Sequence, residues 1–214
     1  TRSHDGDVIG NHGNSDVWVA KINNLHNLIW SQCYGGTSDE YVSGIVITTS
    51  NKLIVAGTTI STDGIISGNH GNEDGFVIQL NASGHLKWSR CYGGSGIDPS
   101  QYGIEPTSDG NIILPMTTNS NDGDVSGNHG SFDMLLLKVN SSSGDLMWSK
   151  CYGGEGDEGA YGVLPLPDGG VMALGATATD GFDLATYDAQ VVRTDAIGNE
   201  VWTKTFGGSD FDDV

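Results

Sequence analysis

The sequence has few basic residues, no long apolar run and no Leu-rich helical stretch, and each absence excludes a class of protein. Only 9 residues are Lys or Arg, against 27 Asp and Glu, which gives a formal net charge of −18. Such a chain repels phosphate backbones and anionic lipid, so nucleic acid is not an expected partner. No apolar run approaches the roughly 20 residues that a membrane-spanning helix requires, so membrane insertion is not expected either.

The sequence also lacks the local motifs of common catalytic sites. It contains no Gly-x-Ser-x-Gly elbow, no His-Glu-x-x-His pair and no Walker loop. Its three cysteines, Cys33, Cys91 and Cys151, occupy one position of an internal repeat. Equivalent positions of successive copies lie too far apart for the roughly 5.5 Å Cα separation of a disulfide. We therefore expect these cysteines to be small buried hydrophobic residues.

A seven-residue motif occurs four times and organises the chain. Its third copy is Trp-Ser-Lys-Cys-Tyr-Gly-Gly at residues 148–154, and the others occupy residues 30–36, 88–94 and 202–208. Self-similarity at a period of this length is typical of stacked or radial repeats. We expect the tryptophans to lie on the outermost strand of each repeat and to pack between neighbouring repeats.

Each period contains four short strands rich in Val, Ile and Thr, separated by Gly, Asn, Asp and Ser turns. The clearest are Val17–Ile22, Leu28–Tyr34, Ser43–Thr48 and Leu53–Gly57. Four antiparallel strands per repeat is the pattern of a β-propeller, in which each period forms one blade. The sequence therefore predicts an all-β fold, a β-propeller of four-stranded antiparallel blades.

About three and a half blades are present, and we expect one propeller domain. The chain has neither an initiator Met nor a signal peptide, so we expect a processed fragment of a larger ring and the remainder of a longer chain as a partner. The predicted units are residues 1–36 (strands three and four of a first blade), 37–94, 95–154 and 155–208 (one blade each), and 209–214 (the start of a further blade).

The third copy resembles repeats of large secreted bacterial surface proteins, often substrates of type IX secretion. The resemblance rests on residues 148–154, followed by Asp-Gly-Gly at 168–170 and Gly-Ala-Thr at 175–177, and on the Asp-Gly-Asp-Val-Ser-Gly-Asn-His-Gly run at 122–130. It implies a β-propeller-like fold and a secreted or cell-surface location, and it transfers no catalytic residue. The second copy departs from the pattern at 114–116 (Leu-Pro-Met), and the fourth at 205–206 (Thr-Phe).

The loop between the second and third strands of the third copy has the spacing of a calcium loop. With Asp122 as position one, carboxylates fall at positions one, three and twelve, a hydroxyl at five and glycine at six. The first copy repeats this spacing but has Ile9 at position five. We therefore predict Ca²⁺ sites in both loops. The candidate ligands are Asp122, Asp124, Ser126, Asn128 and Asp133 in the third copy, and Asp5, Asp7, Asn11 and Asp16 in the first.

The same spacing has a simpler explanation, because Asp and Gly are good turn residues and Asp can cap its own backbone. Position twelve is Asp and not the bidentate Glu of calcium loops, and no helices flank the loop. The second copy keeps Asp63, Gly68 and Asp74 but has Ile65 in place of the second carboxylate. The fourth copy is three residues shorter and contains Asp180, Asp183 and Asp188.

A histidine also recurs, at His12, His70 and His129, each time within Gly-Asn-His-Gly. Imidazole is a common zinc ligand. Each histidine belongs to a different blade, however, so the three are not expected to converge on one ion. We expect hydrogen bonds within each loop instead.

The loops that lead from a fourth strand to the next first strand are acidic, with Asp39-Glu40, Asp98 and Asp157-Glu158. In an up-and-down blade they emerge on the same face as the calcium-like loops. That face should be strongly negative, with Tyr41, Tyr102 and Tyr161 near its inner edge. Aromatic rings beside carboxylates can bind sugars, and carboxylate pairs can catalyse glycoside hydrolysis; a solvated rim above packed tyrosines is the simpler expectation.

These features predict an exported, non-enzymatic scaffold or adhesion module that binds protein or glycan at the cell surface. One alternative is a lectin with one shallow site per blade, in which multivalency would raise the avidity. A propeller glycosidase or lyase is a further alternative. The uniformity of the copies argues against it, because a catalytic site needs unlike residues that converge.

Overall fold

The computed structural model describes residues 1–178, 187–208, 210 and 212. This part of the chain is all-β, as predicted, and contains no helix, and therefore no helix long and apolar enough to cross a membrane. The strands are β1 (Val17–Ile22), β2 (Leu28–Tyr34), β3 (Glu40–Ile47), β4 (Leu53–Thr59), β5 (Glu73–Leu80), β6 (Leu86–Tyr92), β7 (Ile97–Asp98), β8 (Glu105–Pro106), β9 (Ile112–Thr118), β10 (Asp133–Val139), β11 (Leu146–Tyr152), β12 (Asp157–Pro165), β13 (Val171–Ala178), β14 (Tyr187–Thr194) and β15 (Glu200–Phe206).

The strands form four sheets in which neighbours along the chain are neighbours in space. The first sheet is β1-β2, the second β3-β4-β5-β6, the third β8-β9-β10-β11 and the fourth β12-β13-β14-β15. Pairing along these paths is antiparallel, and short β7 adds to β5 in parallel. Residues 1–36, 37–94, 95–154 and 155–208 each contain one sheet, except that β7 lies in 95–154 and joins the second sheet. Within the predicted further unit, residues 209, 211, 213 and 214 lie outside the described residues.

Two local details differ from the sequence pattern. The strand predicted at Ser43–Thr48 begins at Glu40, because Glu40 already pairs with Thr59 at the end of the ladder. Pro115 lies within β9, opposite Leu136, without a register shift. The inner partner β8 pairs only with the first two residues of β9, so Pro115 faces no inner strand that would need its missing N–H.

The third strands of the second and third sheets, β5 and β10, lie in the core, which explains their nearly continuous apolar runs, whereas four of the eight residues of β14 are only partly buried. All seven residues of β10 are buried. Leu135 and Leu137 pack with Val77 of the second sheet, and Met134 and Leu136 pack with the fourth sheet. Burying a side chain of this size stabilises the fold by about 1.5–3 kcal/mol. The second and third sheets are therefore joined to their neighbours mainly through both faces of their third strands.

The repeated Trp-x-x-x-Tyr-Gly-Gly motif connects each sheet to the next. The hydroxyl of Tyr92 donates to the carbonyl of Gly144 at 2.7 Å, and that of Tyr152 donates to Gly198 at 2.6 Å. Tyr34 makes the same bond to Gly84. Gly84 has φ +82°, and a Cβ there would lie 2.9 Å from the ring of Trp30. The motif thus requires glycine in the hairpin turn of the following repeat.

Candidate functional site

A cleft lined by two tyrosines lies between the inner strands of the second, third and fourth sheets. The rings of Tyr102 and Tyr161 have centroids 5.0 Å apart and meet edge to face at 65°. The cleft is also lined by Ser43, Gln101 and Glu105. The two tyrosines are 47% and 37% exposed, so their rings are available to a ligand. We call this feature the tyrosine cleft.

Irregularities in the inner strands build the tyrosine cleft. Tyr161 is the extra residue of a bulge in β12, and Ser43 is the extra residue at the matching position of β3. A bulge turns a side chain away from the regular alternation of the strand. Tyr102 precedes Gly103, which has φ +76° and donates its N–H to the carbonyl of Ser43 at 3.3 Å.

The predicted third tyrosine occupies a different place. Tyr41 pairs regularly with Thr58, ahead of the bulge, and lines a neighbouring pocket with Glu73 and Gln101. The three tyrosines are therefore not equivalent by symmetry. The described residues form one cleft with two rings, and not the same site in every repeat.

The chemistry of the tyrosine cleft suits binding. Exposed aromatic rings present flat apolar surface beside polar groups, and Gln101, Ser43 and Glu105 supply hydrogen-bonding partners. Glu105 is the one acidic residue among the described residues that line it. Glycoside hydrolysis ordinarily needs a pair of carboxylates on either side of the bond that is cleaved. The arrangement can hold a sugar but does not supply that pair.

The candidate calcium ligands of the third copy point in several directions. Asp122 Oδ1 accepts from the backbone N–H of Ser95 at 2.7 Å. Asn128 donates to the carbonyl of Thr118 at 3.3 Å, and its Oδ1 accepts from a backbone N–H. The side chain of Asp133 is fully buried. Asp124 is partly buried, which raises the pKa of its carboxyl, and Ser126 is exposed.

The first copy is arranged in the same way. Asp16 is buried, while Asp5 and Asp7 are exposed. Asn11 donates to the carbonyl of Thr1 and accepts from the N–H of Gly13, both at 3.0 Å. Within the described residues, no three His, Cys, Asp or Glu side chains form a group that could hold a metal ion. Calcium therefore stays a prediction, and Asp180 and Asp183 of the fourth copy lie outside the described residues.

The recurring histidines pair with the last carboxylate of their own loops. The Nδ1 atoms of His12, His70 and His129 lie 2.6, 2.8 and 2.9 Å from Oδ2 of Asp16, Asp74 and Asp133. The same oxygens accept the backbone N–H of these histidines. Each histidine thus holds its own loop closed, in agreement with the structural interpretation.

A second set of carboxylates is buried against expectation. Glu40, Asp98 and Glu158 were expected on a solvated rim, but they are 3%, 0% and 3% exposed. That expectation is wrong for these three, because each accepts a hydrogen bond from the N–H of the second glycine of a Gly-Gly turn. The distances are 3.0 Å from Gly36, 2.7 Å from Gly94 and 2.8 Å from Gly154. The constant Gly-Gly-x-x-x-acid spacing is the signal that could have revealed them.

The two sets of carboxylates meet beside the first glycine of each turn. A Cβ on Gly93 would lie within 3.0 Å of both Asp74 Oδ1 and Asp98 Oδ2. Burial raises the pKa of Asp74, hydrogen bonds from His70 partly offset this, and the charge of Asp98 raises it further. These carboxylates therefore serve the turns of the fold and are not exposed to a substrate.

The cysteines behave as the sequence predicts. Cys33 and Cys91 are buried, Cys151 is partly buried, and all three are free thiols. Burial raises the pKa of Cys91 and of Cys151 to about 12, so these thiols stay neutral near pH 7. A neutral buried thiol is a poor nucleophile and metal ligand.

A scan against protein-family models finds no match for this chain. A search of the curated proteins finds no match either.

Proposed function

We propose that this chain is an exported, non-enzymatic scaffold of the β-propeller type that acts as an adhesion module, and that its tyrosine cleft binds glycan. The observation that carries the binding role is the pair of exposed rings of Tyr102 and Tyr161, 5.0 Å apart beside polar side chains. A cell-surface location follows from the resemblance to secreted surface proteins.

The propeller arrangement is supported by the uniform relation between neighbouring sheets. Each of the first three repeats presents its Tyr hydroxyl and Trp ring to the glycine turn of the next repeat. At the other side of the sheets, the first strands approach one another, since β8 contacts both β3 and β12. Sheets that converge at their first strands and repeat one contact suit a radial array.

The distribution of carboxylates favours binding over catalysis. The buried pairs beside the Gly-Gly turns accept hydrogen bonds from backbone and Thr groups. They repeat from sheet to sheet, whereas a catalytic centre needs unlike groups at one place. Calcium remains part of the proposal as a stabiliser of the loops, with exposed Asp5, Asp7 and Asp122 as the side chains nearest to solvent.

A glycan array tests the proposed function. The parent chain should bind a subset of glycans, and Tyr102→Ala and Tyr161→Ala should each reduce that binding at least about tenfold, since losing one aromatic contact of roughly 1.4 kcal/mol is a tenfold change. Tyr41→Ala, which removes an exposed tyrosine outside this cleft, serves as the matched control. Absence of glycan binding, or equal loss in the control, would contradict a glycan role for the cleft and leave a protein partner as the alternative.

A further inference from the structure

The first sheet presents an unpaired strand edge. In the other three sheets the third strand is paired on its inner side, β5 with β4, β10 with β9 and β14 with β13. β1 holds the same place in the repeat, but among the described residues it pairs along its length only with β2. Free N–H and C=O groups on such an edge can hydrogen-bond to an added strand.

Thr1 marks where an added strand would end. Its carbonyl accepts from the N–H of Asp16 at 3.0 Å, and its amino group donates to the carbonyl of Asp16 at 2.6 Å. Thr59 and Asp74 are partners at the same place in the second sheet. The amide of Asn11 also donates to the Thr1 carbonyl, as Asn69 donates to that of Thr59. Thr1 therefore occupies the position of the last residue of a second strand.

The second sheet supplies an uncovered apolar wall beside this edge. Val42 and Ile45 of β3 are 60% and 53% exposed. The residues of β12 at the same positions in the strand pairing are Ala160 and Val163. Both are covered: Ala160 is 3% exposed, and Val163 packs against the core cluster that contains Ile113 of β9. The edge of β1 and Ile45 enclose a groove, which we call the edge groove. It is lined by Val19, Ile22, Trp30, Ile45, Ile47 and Leu53, among others. Val42 lines the pocket at the Thr1 end of this edge, together with Val17.

Lys21 lines the edge groove, and the residues equivalent to it in the third and fourth sheets form ion pairs. In the third sheet Lys138 lies 2.8 Å from Asp109, and in the fourth sheet Arg193 pairs with Asp168. Both aspartates belong to the turn that joins the first and second strands of their sheets. Lys21 is the equivalent residue of β1, because it lies opposite Trp30 as Lys138 lies opposite Trp148. Lys21 donates instead to the carbonyl of Ala82, at 3.5 Å.

We propose that the edge groove is the binding site of a β-hairpin of the same repeat type. Its second strand pairs antiparallel with β1 and ends at the position of Thr1, its apolar side chains cover Val42 and Ile45, and an Asp in its turn pairs with Lys21. Backbone hydrogen bonds give such an added strand its affinity, and alternate side chains give specificity. The inference concerns a second site and does not depend on what the tyrosine cleft binds.

The hairpin β12–β13 of the fourth sheet serves as the probe, because its turn carries Asp168. Its Thr177 pairs with Asp188 as Thr59 pairs with Asp74, so Thr177 corresponds to Thr1. An extended chain carries a copy of residues 157–176 directly before Thr1. Hydrogen–deuterium exchange of β1 should slow at least about tenfold, and the melting temperature should rise by roughly 3–5 °C, the response to the stabilisation of about 1.4 kcal/mol that a tenfold change represents. An extension of the same composition in scrambled order is the matched control.

Lys21→Gln in the extended chain should remove part of the rise in melting temperature that the added hairpin gives. The same substitution in the parent chain should leave the melting temperature nearly unchanged. Equal exchange of β1 in the hairpin and scrambled chains, both with parent-like circular dichroism, would overturn the proposal. Should the extended chain fold poorly, a synthetic peptide of residues 157–177 is titrated into the parent chain, and failure to protect β1 at millimolar peptide overturns it. Binding of a second copy of the parent chain in the groove would also overturn the proposal. In that case the parent would sediment as a dimer, and hydrogen exchange of β1 would speed up when the dimer dissociates.

Discussion

Replacing Tyr152 by Phe tests the link between the third and fourth sheets. The Tyr152 side chain is buried, and its hydroxyl donates to the carbonyl of Gly198 at 2.6 Å. The substitution keeps the ring and removes the donor, so a buried carbonyl loses its partner. An unpaired buried polar group costs about 1–3 kcal/mol. We expect the free energy of unfolding to fall by about 2 kcal/mol, and the melting temperature by roughly 4–8 °C.

Urea unfolding followed by circular dichroism measures this change, with the slope of the transition compared between variants. Tyr92→Phe should cost a similar amount, because the Tyr92 hydroxyl donates to Gly144 at 2.7 Å. Phe206→Tyr is the matched control, since Phe206 holds the same place in the fourth copy and is 58% exposed. Its added hydroxyl should change stability by less than about 0.5 kcal/mol. The reasoning is refuted if Tyr152→Phe unfolds with the parent's midpoint and slope.

Three further predictions concern the third repeat and the first strand of the fourth. Gly153→Ala should lower the free energy of unfolding by about 3 kcal/mol or more, because the added Cβ would overlap carboxylate oxygens of Glu158 and Asp133. Gly154→Ala is the matched control: its Cβ would lie in open space, and it should cost less than about 1 kcal/mol in the same urea assay. Burial raises the pKa of the Glu158 carboxyl, so the folded state binds the proton of this carboxyl more tightly than the unfolded state does. The contribution of Glu158 to stability should therefore increase as the pH falls through its folded pKa towards the unfolded value of about 4.3. Glu158→Gln should make the free energy of unfolding depend less on pH in urea titrations between about pH 4.5 and 7. Calcium at a hundredfold excess over its dissociation constant should raise the free energy of unfolding by about 2.7 kcal/mol relative to EDTA. The double variant Asp122→Ala, Asp124→Ala should abolish the resulting rise in melting temperature. Equal melting temperatures of the parent chain in both buffers would remove calcium from the proposal.

Much of the strand framework could be predicted because its signals are local. The strands Val17–Ile22 and Leu28–Tyr34 have the predicted bounds, and their turn chemistry lies within a few residues of them. An Asn or Asp followed within a few residues by Gly indicates a left-handed residue in each later turn, and Gly84 has φ +82°. At the first turn the same conformation falls on His26, with φ 61°, which the glycine pattern does not reveal.

The candidate site was less predictable, because the direction of a side chain depends on contacts that are distant in sequence. Tyr41 and Tyr161 lie in corresponding segments of the repeat, but Tyr161 is the extra residue of the bulge in β12, whereas Tyr41 precedes the bulge of β3. The calcium spacing correctly identifies a recurring loop. It does not reveal that Asp133 turns inward at the start of β10 and pairs with His129.

The all-β class, the four repeats and the lack of a disulfide framework follow from the sequence, because periodicity, turn residues and cysteine spacing are properties of the chain alone. The burial of particular carboxylates depends on the tertiary structure. Glu40 and Glu158 lie in polar, acidic segments that favour exposure, and they become buried because a Gly-Gly turn and a threonine hydroxyl from another strand supply hydrogen bonds to them. Those donors replace water only when the strands have come together, so the burial of these charges is a consequence of the assembled fold.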